Sequence, residues 1–154
     1  MLVSLNMRFL GVDYGTKRIG LAISDESGVL AFPKEIITND SKVFQKLGKV
    51  IREENVSEII VGESTNFSGA ANRVSAQIEF FISGLKDKFH LPVRKQKEFL
   101  TSVEARKSYN GKGIKNNTQA HSKMKQSKTG KVDASAAALI LQRYLDRRSK
   151  QSKA

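Results

Sequence analysis

Residues 7–24 read MRFLGVDYGTKRIGLAIS, and the alternation of apolar runs with turn residues in this stretch decides how the chain is built. Met7 to Asp13 and Arg18 to Ser24 are strand-like, and Tyr14-Gly15-Thr16 between them is short enough for an antiparallel hairpin. A third strand, Leu30 to Ile37 (LAFPKEII), follows the turn Asp25-Glu26-Ser27-Gly28. Beyond it the period changes from two to 3.6. Asp40 can cap a helix to about Glu54, with Val43, Phe44, Leu47, Val50 and Ile51 on one face. Ser57 to Gly62 (SEIIVG) reads as a buried strand, residues 63–69 as a polar loop, and Ala70 to about Phe89 as a second amphipathic helix with Val74, Ile78, Phe81, Ile82 and Leu85 inward. Leu91 to Lys97 makes a fifth strand. Thr101 and Glu104 have capping-box spacing and start a short third helix, and Val132 to about Arg148 forms the last one. Three hairpin strands feeding helix, strand, helix, strand and helices describe a mixed α/β layer with parallel crossovers.

The length of 154 residues suits one domain, and 39% apolar residues suffice for one core. No segment approaches the ~20 uninterrupted apolar residues of a bilayer span. A soluble protein is expected. The chain has no Cys, which excludes disulfides, thiolate nucleophiles and Cys-ligated metal, and Arg8 interrupts what a signal peptide would need as an apolar run. These features point to the cytoplasm.

Charge is unevenly placed. Residues 1–105 carry 14 basic and 13 acidic side chains, whereas residues 106–154 carry 13 basic and 2 acidic. From Arg106 to Lys131 eight Lys and Arg occur without an acid among them, which suits a polyanion. Nucleic acid fits better than a membrane surface, because the run lacks Leu, Phe and Trp at helical spacing. The stretch of about 109–131 reads as a mobile basic loop, and Lys112, Lys115, Lys123, Lys125, Lys128 and Lys131 are its candidate phosphate contacts.

Three carboxylates stand out by position. Asp13 ends the first strand, although Asp two residues before Gly is also ordinary turn chemistry. Glu98 lies just past the fifth strand, whose end can come beside the end of the first; read plainly, it is a surface Glu before a helix cap. Asp133 opens the last helix, where the dipole keeps an acid ionised, and Asp in a first turn is equally a common stabilising choice. The following ASAAALIL, Ala134 to Leu141, is apolar nearly all round and reads as buried against the sheet. No Gly-x-Ser-x-Gly or P-loop occurs, and His90 and His121 lack partners at ligand spacing.

An acid at the end of strand one, another at a later strand end and a third at the start of a terminal helix together resemble the ribonuclease H-like superfamily. More closely, DYGTKRIGLAIS, IIVG, EFLTSVEA and KVDASAAALILQRYL resemble the successive motifs of the YqgF family over about residues 7–147. Members of that family are described as Holliday junction resolvases and as nucleases that process the 5′ end of pre-16S ribosomal RNA. The chain departs from it in two places. The family's middle motif usually reads Asp-Glu-Arg before Leu-Thr-Thr, and here Lys97 and Phe99 replace the outer two while Glu98 keeps the central acid. Its usual Leu-Pro after Val-Gly is replaced by Glu63-Ser64.

The resemblance implies an α/β fold, a ribonuclease H-like mixed five-stranded sheet flanked by helices, with residues 1–148 as a single nuclease domain and 149–154 as a disordered tail. It implies an endonuclease in which Asp13, Glu98 and Asp133 hold two Mg²⁺ or Mn²⁺ ions, with Lys17 and Arg18 nearby to hold a phosphate. Glu63 also follows a strand end, with nothing but position to argue for it. Structured nucleic acid is the implied partner, with maturation of pre-16S ribosomal RNA the leading function. One rival is a resolvase of four-way DNA junctions, whose two-fold symmetry favours a homodimer. Another, suggested by the altered Lys97-Glu98-Phe99 motif, is a nucleic-acid-binding protein without catalysis.

Overall fold

The computed structural model describes residues 7–64, 71–98 and 125–152, with side chains described for 7–62, 76–96 and 134–151. Its elements are β1 (Arg8–Asp13), β2 (Arg18–Ser24), β3 (Ala31–Thr38), α1 (Val43–Glu53), β4 (Val56–Ser64), α2 (Ala71–Phe89), β5 (Val93–Glu98) and α3 (Lys125–Ser152). The five strands form one sheet in the order β3-β2-β1-β4-β5. The hairpin pairs β1·β2 and β2·β3 are antiparallel, and β1·β4 and β4·β5 are parallel. This is the mixed sheet expected from the sequence.

Strand β1 is central because its residues can be buried on both faces: Phe9, Leu10 and Val12 are fully buried. Strand β3 is an edge, which is where Pro33 is tolerated, beside a register shift between Leu21 and Ala22 on its neighbour. Each face carries its own core. On one, Leu10, Val12, Ile59 and Val61 pack with Leu47 and Val50 of α1 and with Ile78, Phe81, Ile82 and Leu85 of α2. On the other, Phe9, Ala22 and Ile60 pack with Ala137, Ile140, Leu141 and Leu145 of α3.

The helices differ from expectation at their ends. Asp40 is not the N-cap of α1; that position is Lys42, without a side-chain cap. Asp40 sits two residues earlier and accepts the Lys42 backbone N–H at 2.9 Å and the Lys46 ammonium at 3.0 Å. Its short side chain closes a local turn ahead of the helix instead of capping it.

Helix α3 begins at Lys125, not Val132, and continues through Ser152 past Arg148. Asp133 therefore lies two turns inside the helix and not at its dipolar N-terminus. Gln, Lys and Arg are good helix formers, and a single Gly such as Gly130 costs only about 1 kcal/mol in a helix interior, so the basic run extends the apolar segment in both directions. The expected short helix at Thr101 and residues 109–124 of the basic loop, including Lys112, Lys115 and Lys123, lie outside the described residues.

Candidate functional site

The β1–β2 turn is built on the absence of a side chain. A Cβ on Gly15 would lie 2.3 Å from the carbonyl oxygen of Arg18, so only Gly lets the chain reverse this tightly after Tyr14. Asn39 straps the turn from outside: its side-chain amide donates to the Gly15 carbonyl at 2.9 Å, and its backbone N–H donates to Lys17 O at 2.9 Å. Tyr14 anchors the other side, its ring 5.0 Å from that of Phe81. The turn fixes where β1 stops. Asp13, its last residue, is half-buried, whereas Lys17 and Arg18 are exposed beyond it.

In register, Asp13 pairs with Gly20 on β2 and with Gly62 on β4, and Gly62 pairs with Gln96 on β5. Parallel register partners share a sheet face and side chains alternate, so positions 13, 62, 96 and 98 fall on one face. That face is the one α3 covers. Ser64 and Glu98 pair at the same strand ends, which brings the backbone positions of Asp13, Glu63 and Glu98 to one edge of the sheet.

Helix α3 reaches the same edge because it runs against β1. Its C-terminal half sits over the start of the strand: the Tyr144 ring is 6.0 Å from that of Phe9, and the Arg148 guanidinium lies 5.0 Å above it. Two residues up the strand, a Cβ on Gly11 would meet Leu141 Cβ at 2.8 Å and Ala137 O at 3.0 Å. The next step pairs one more helical turn with two more strand residues, about 5.4 Å against about 6.6 Å, and carries the helix from Ala137 to Asp133 as the strand passes from Gly11 to Asp13. By these rises the two backbone positions should come level. The sequence reading put Asp133 at the start of the helix, and the structure puts it two turns inside.

Among the described residues no group of three His, Cys, Asp or Glu side chains gathers as a metal-holding cluster, and of the three acids only Asp13 has a described side chain. The sequence reading missed a second feature. Along edge strand β5, Arg94 and Gln96 face Tyr144, Arg147 and Arg148 of α3 across a groove that Lys95 also borders. These residues are far apart in sequence, and the only local signal was the alternation of basic and polar residues in Arg94-Lys95-Gln96-Lys97. No described helix is long and apolar enough to cross a membrane.

Comparison with known proteins agrees with this geometry. The family model described as "RuvX: Holliday junction resolvase" matches residues 7–147. A protein of Lawsonia intracellularis named "Putative pre-16S rRNA nuclease" is 37% identical over 142 residues, covering 91% of this chain and 94% of its own. One of the same name from Ruminiclostridium cellulolyticum is 39% identical over 144 residues, covering 92% and 95%. Among solved structures, T. thermophilus RuvC in complex with Holliday junction substrate superposes with a TM-score of 0.55 at 13% identity, covering 93% of this chain and 96% of that one. Fowlpox virus resolvase with substrate Holliday junction DNA gives 0.53 at 14%, covering 92% and 98%. The fold is ribonuclease H-like, as these two resolvases share it. With the family model spanning the sheet, the Asp13 turn and α3 together, the chain belongs to the RuvX family, a family of nucleic-acid hydrolases.

Proposed function

We propose that the protein is a metal-dependent endonuclease of structured RNA that matures the 5′ end of pre-16S ribosomal RNA in the cytoplasm, using Asp13, Glu98 and Asp133 as ligands for two Mg²⁺ or Mn²⁺ ions. One observation supports the reading: the strand ends that carry Asp13 and Glu98 share one edge and one face of the sheet, and α3, which carries Asp133, lies across that face. The donor set fits such ions. Three carboxylates offer only hard oxygen ligands, and His90 closes α2 beside the start of β5, at the opposite edge.

When bound, the ions would lower the pKa of an attacking water and stabilise the leaving oxygen. The chain does the rest. Asp13 is held by the ladder on both sides, between Gly20 and Gly62, so its carboxylate starts from a fixed backbone position and loses little entropy on taking up a ligand. Lys17 and Arg18, exposed just beyond the turn, supply donors for a non-bridging phosphate oxygen near that carboxylate.

The shared fold with two junction resolvases supports a second reading, a homodimeric enzyme cutting four-way DNA junctions. Incubating the purified protein and Mg²⁺ with precursor ribosomal RNA and with a synthetic four-way junction separates them. Cleavage of the precursor, abolished by EDTA, is expected. Cleavage of the junction alone favours the second reading, and cleavage of neither, with RNA binding retained, makes the protein a binding module.

A further inference from the structure

The groove between β5 and the C-terminal half of α3 encloses about 670 Å³ and is lined by Arg94, Lys95, Gln96, Tyr144, Arg147 and Arg148. Its wall is organised. Glu58 accepts both the Arg94 guanidinium and the Tyr144 hydroxyl, the latter at 3.0 Å. Burial first, and then the bond to Glu58, raises the Tyr144 pKa, which keeps the hydroxyl a donor and leaves Arg94 fixed with further N–H groups to offer. Arg148 is braced on the Phe9 ring. Lys95 pairs with Glu79 of α2. Arg147 has no carboxylate partner among the described residues. Arg94, Arg147 and Arg148 thus share the α3 side of the groove with one described carboxylate in its wall, Glu58.

The groove also has a direction. Its upper end is Gln96, the register partner of Gly62 and through it of Asp13, and Glu98 follows two residues on. Downward it follows α3 from Tyr144 to Gln151, about 10 Å of helix, which matches roughly three stacked nucleotides at ~3.4 Å each. Planar guanidinium groups suit phosphate oxygens, and a concave wall in which Val93 is the one described aliphatic residue offers little to insert into a bilayer.

We propose that this groove is a phosphate track for one strand of the substrate as it leaves the acidic edge, with Arg94, Arg147 and Arg148 holding successive phosphodiesters whatever the bases. The identity of the ligand rests on reading that edge as a nuclease site. The track itself is tested without cleavage.

Fluorescence anisotropy with a labelled single-stranded oligouridine in EDTA, at a series of salt concentrations, compares the wild type with R147Q and R147Q/R148Q. The slope of log affinity against log salt should flatten by about 0.7 in the first and about 1.4 in the second, and an oligoadenosine should show the same change. If R147Q/R148Q melts early because Arg148 no longer packs on Phe9, R147Q alone decides. An unchanged slope in folded R147Q overturns the track, as does a change seen with only one base. A flattened slope in a protein that cleaves no substrate leaves the track standing and removes the nuclease reading.

Discussion

Gly62 lies directly beneath Ile140: a Cβ on it would fall 2.3 Å from the Ile140 Cδ1 and within 3.0 Å of both other branch atoms. Ile140 is only 2% exposed, so its side chain has nowhere to turn. Gly62→Ala should therefore push α3 off the sheet and destabilise by about 1–3 kcal/mol, lowering the melting temperature by roughly 2–4 °C for each kcal/mol. Because Gly62 is also the register partner of Asp13, cleavage should fall more than stability does. Adding Ile140→Ala to the variant should restore part of both, read by calorimetry and by cleavage rate.

Asp13→Asn should remove metal-dependent cleavage and leave the fold intact, since the amide keeps the shape and loses the charge. Losing several kcal/mol of transition-state stabilisation, for example about 4, lowers the rate roughly a thousandfold. Wild-type turnover in this variant would refute the assignment. Glu98→Gln tests the acid kept in the motif whose outer residues, Lys97 and Phe99, depart from the family; if it stays fully active, the third ligand lies elsewhere.

A charge cluster at the far end of β1 sets an acid limit on stability. Glu54 accepts from the Lys34 ammonium at 2.8 Å and from the Arg8 guanidinium at 2.5 Å, and these cations, Lys34 foremost, hold its carboxyl below the ordinary value of 4.5. A depressed folded pKa gives stability that is present above the unfolded pKa and lost as the pH falls through the folded one. Glu54→Gln should melt a few degrees early at pH 7, for a loss of about 1 kcal/mol. The gap should narrow as the pH drops below 4.5, in parallel thermal melts.

Replacing Lys112, Lys115, Lys123, Lys125 and Lys128 with Gln should weaken binding to all RNA sequences alike. The salt slope should flatten by roughly 0.7 to 0.9 for every phosphate that the variant no longer neutralises. Thermal stability should scarcely move, because Lys and Gln are similar helix formers and the exchange removes no apolar side chain. An unchanged slope would mean that these charges only solvate the chain.

Much of this fold was legible because hydrophobic period reports burial. The five strands and the inward faces of α1 and α2 follow from apolar residues at spacings of two or of three and four, and Leu47, Ile78, Phe81 and Leu85 are buried as that pattern requires. The start of α3 was not legible. Lys125 to Lys131 carries no apolar stripe, and period is silent where a helix has no face to bury. Asp40 shows a similar limit, since an Asp closing a turn and an Asp capping a helix look alike in sequence. The β5–α3 groove was hidden for a third reason: Arg94 and Arg147 become neighbours only after the last helix has folded back across the sheet.

That return of α3 also sets a timetable. Asp13 and Asp133 are about 120 residues apart, or roughly 6–24 s of synthesis at ~5–20 residues per second. The β1–β2–β3 hairpins need only near neighbours and can form early, whereas the Phe9 and Gly11 face of β1 stays bare until α3 arrives. A nascent chain that has grown only as far as β5 therefore has Asp13 but not the helix that faces it. The α3-facing side of β1 thus closes late, and any chemistry that needs both Asp13 and α3 waits for that closure.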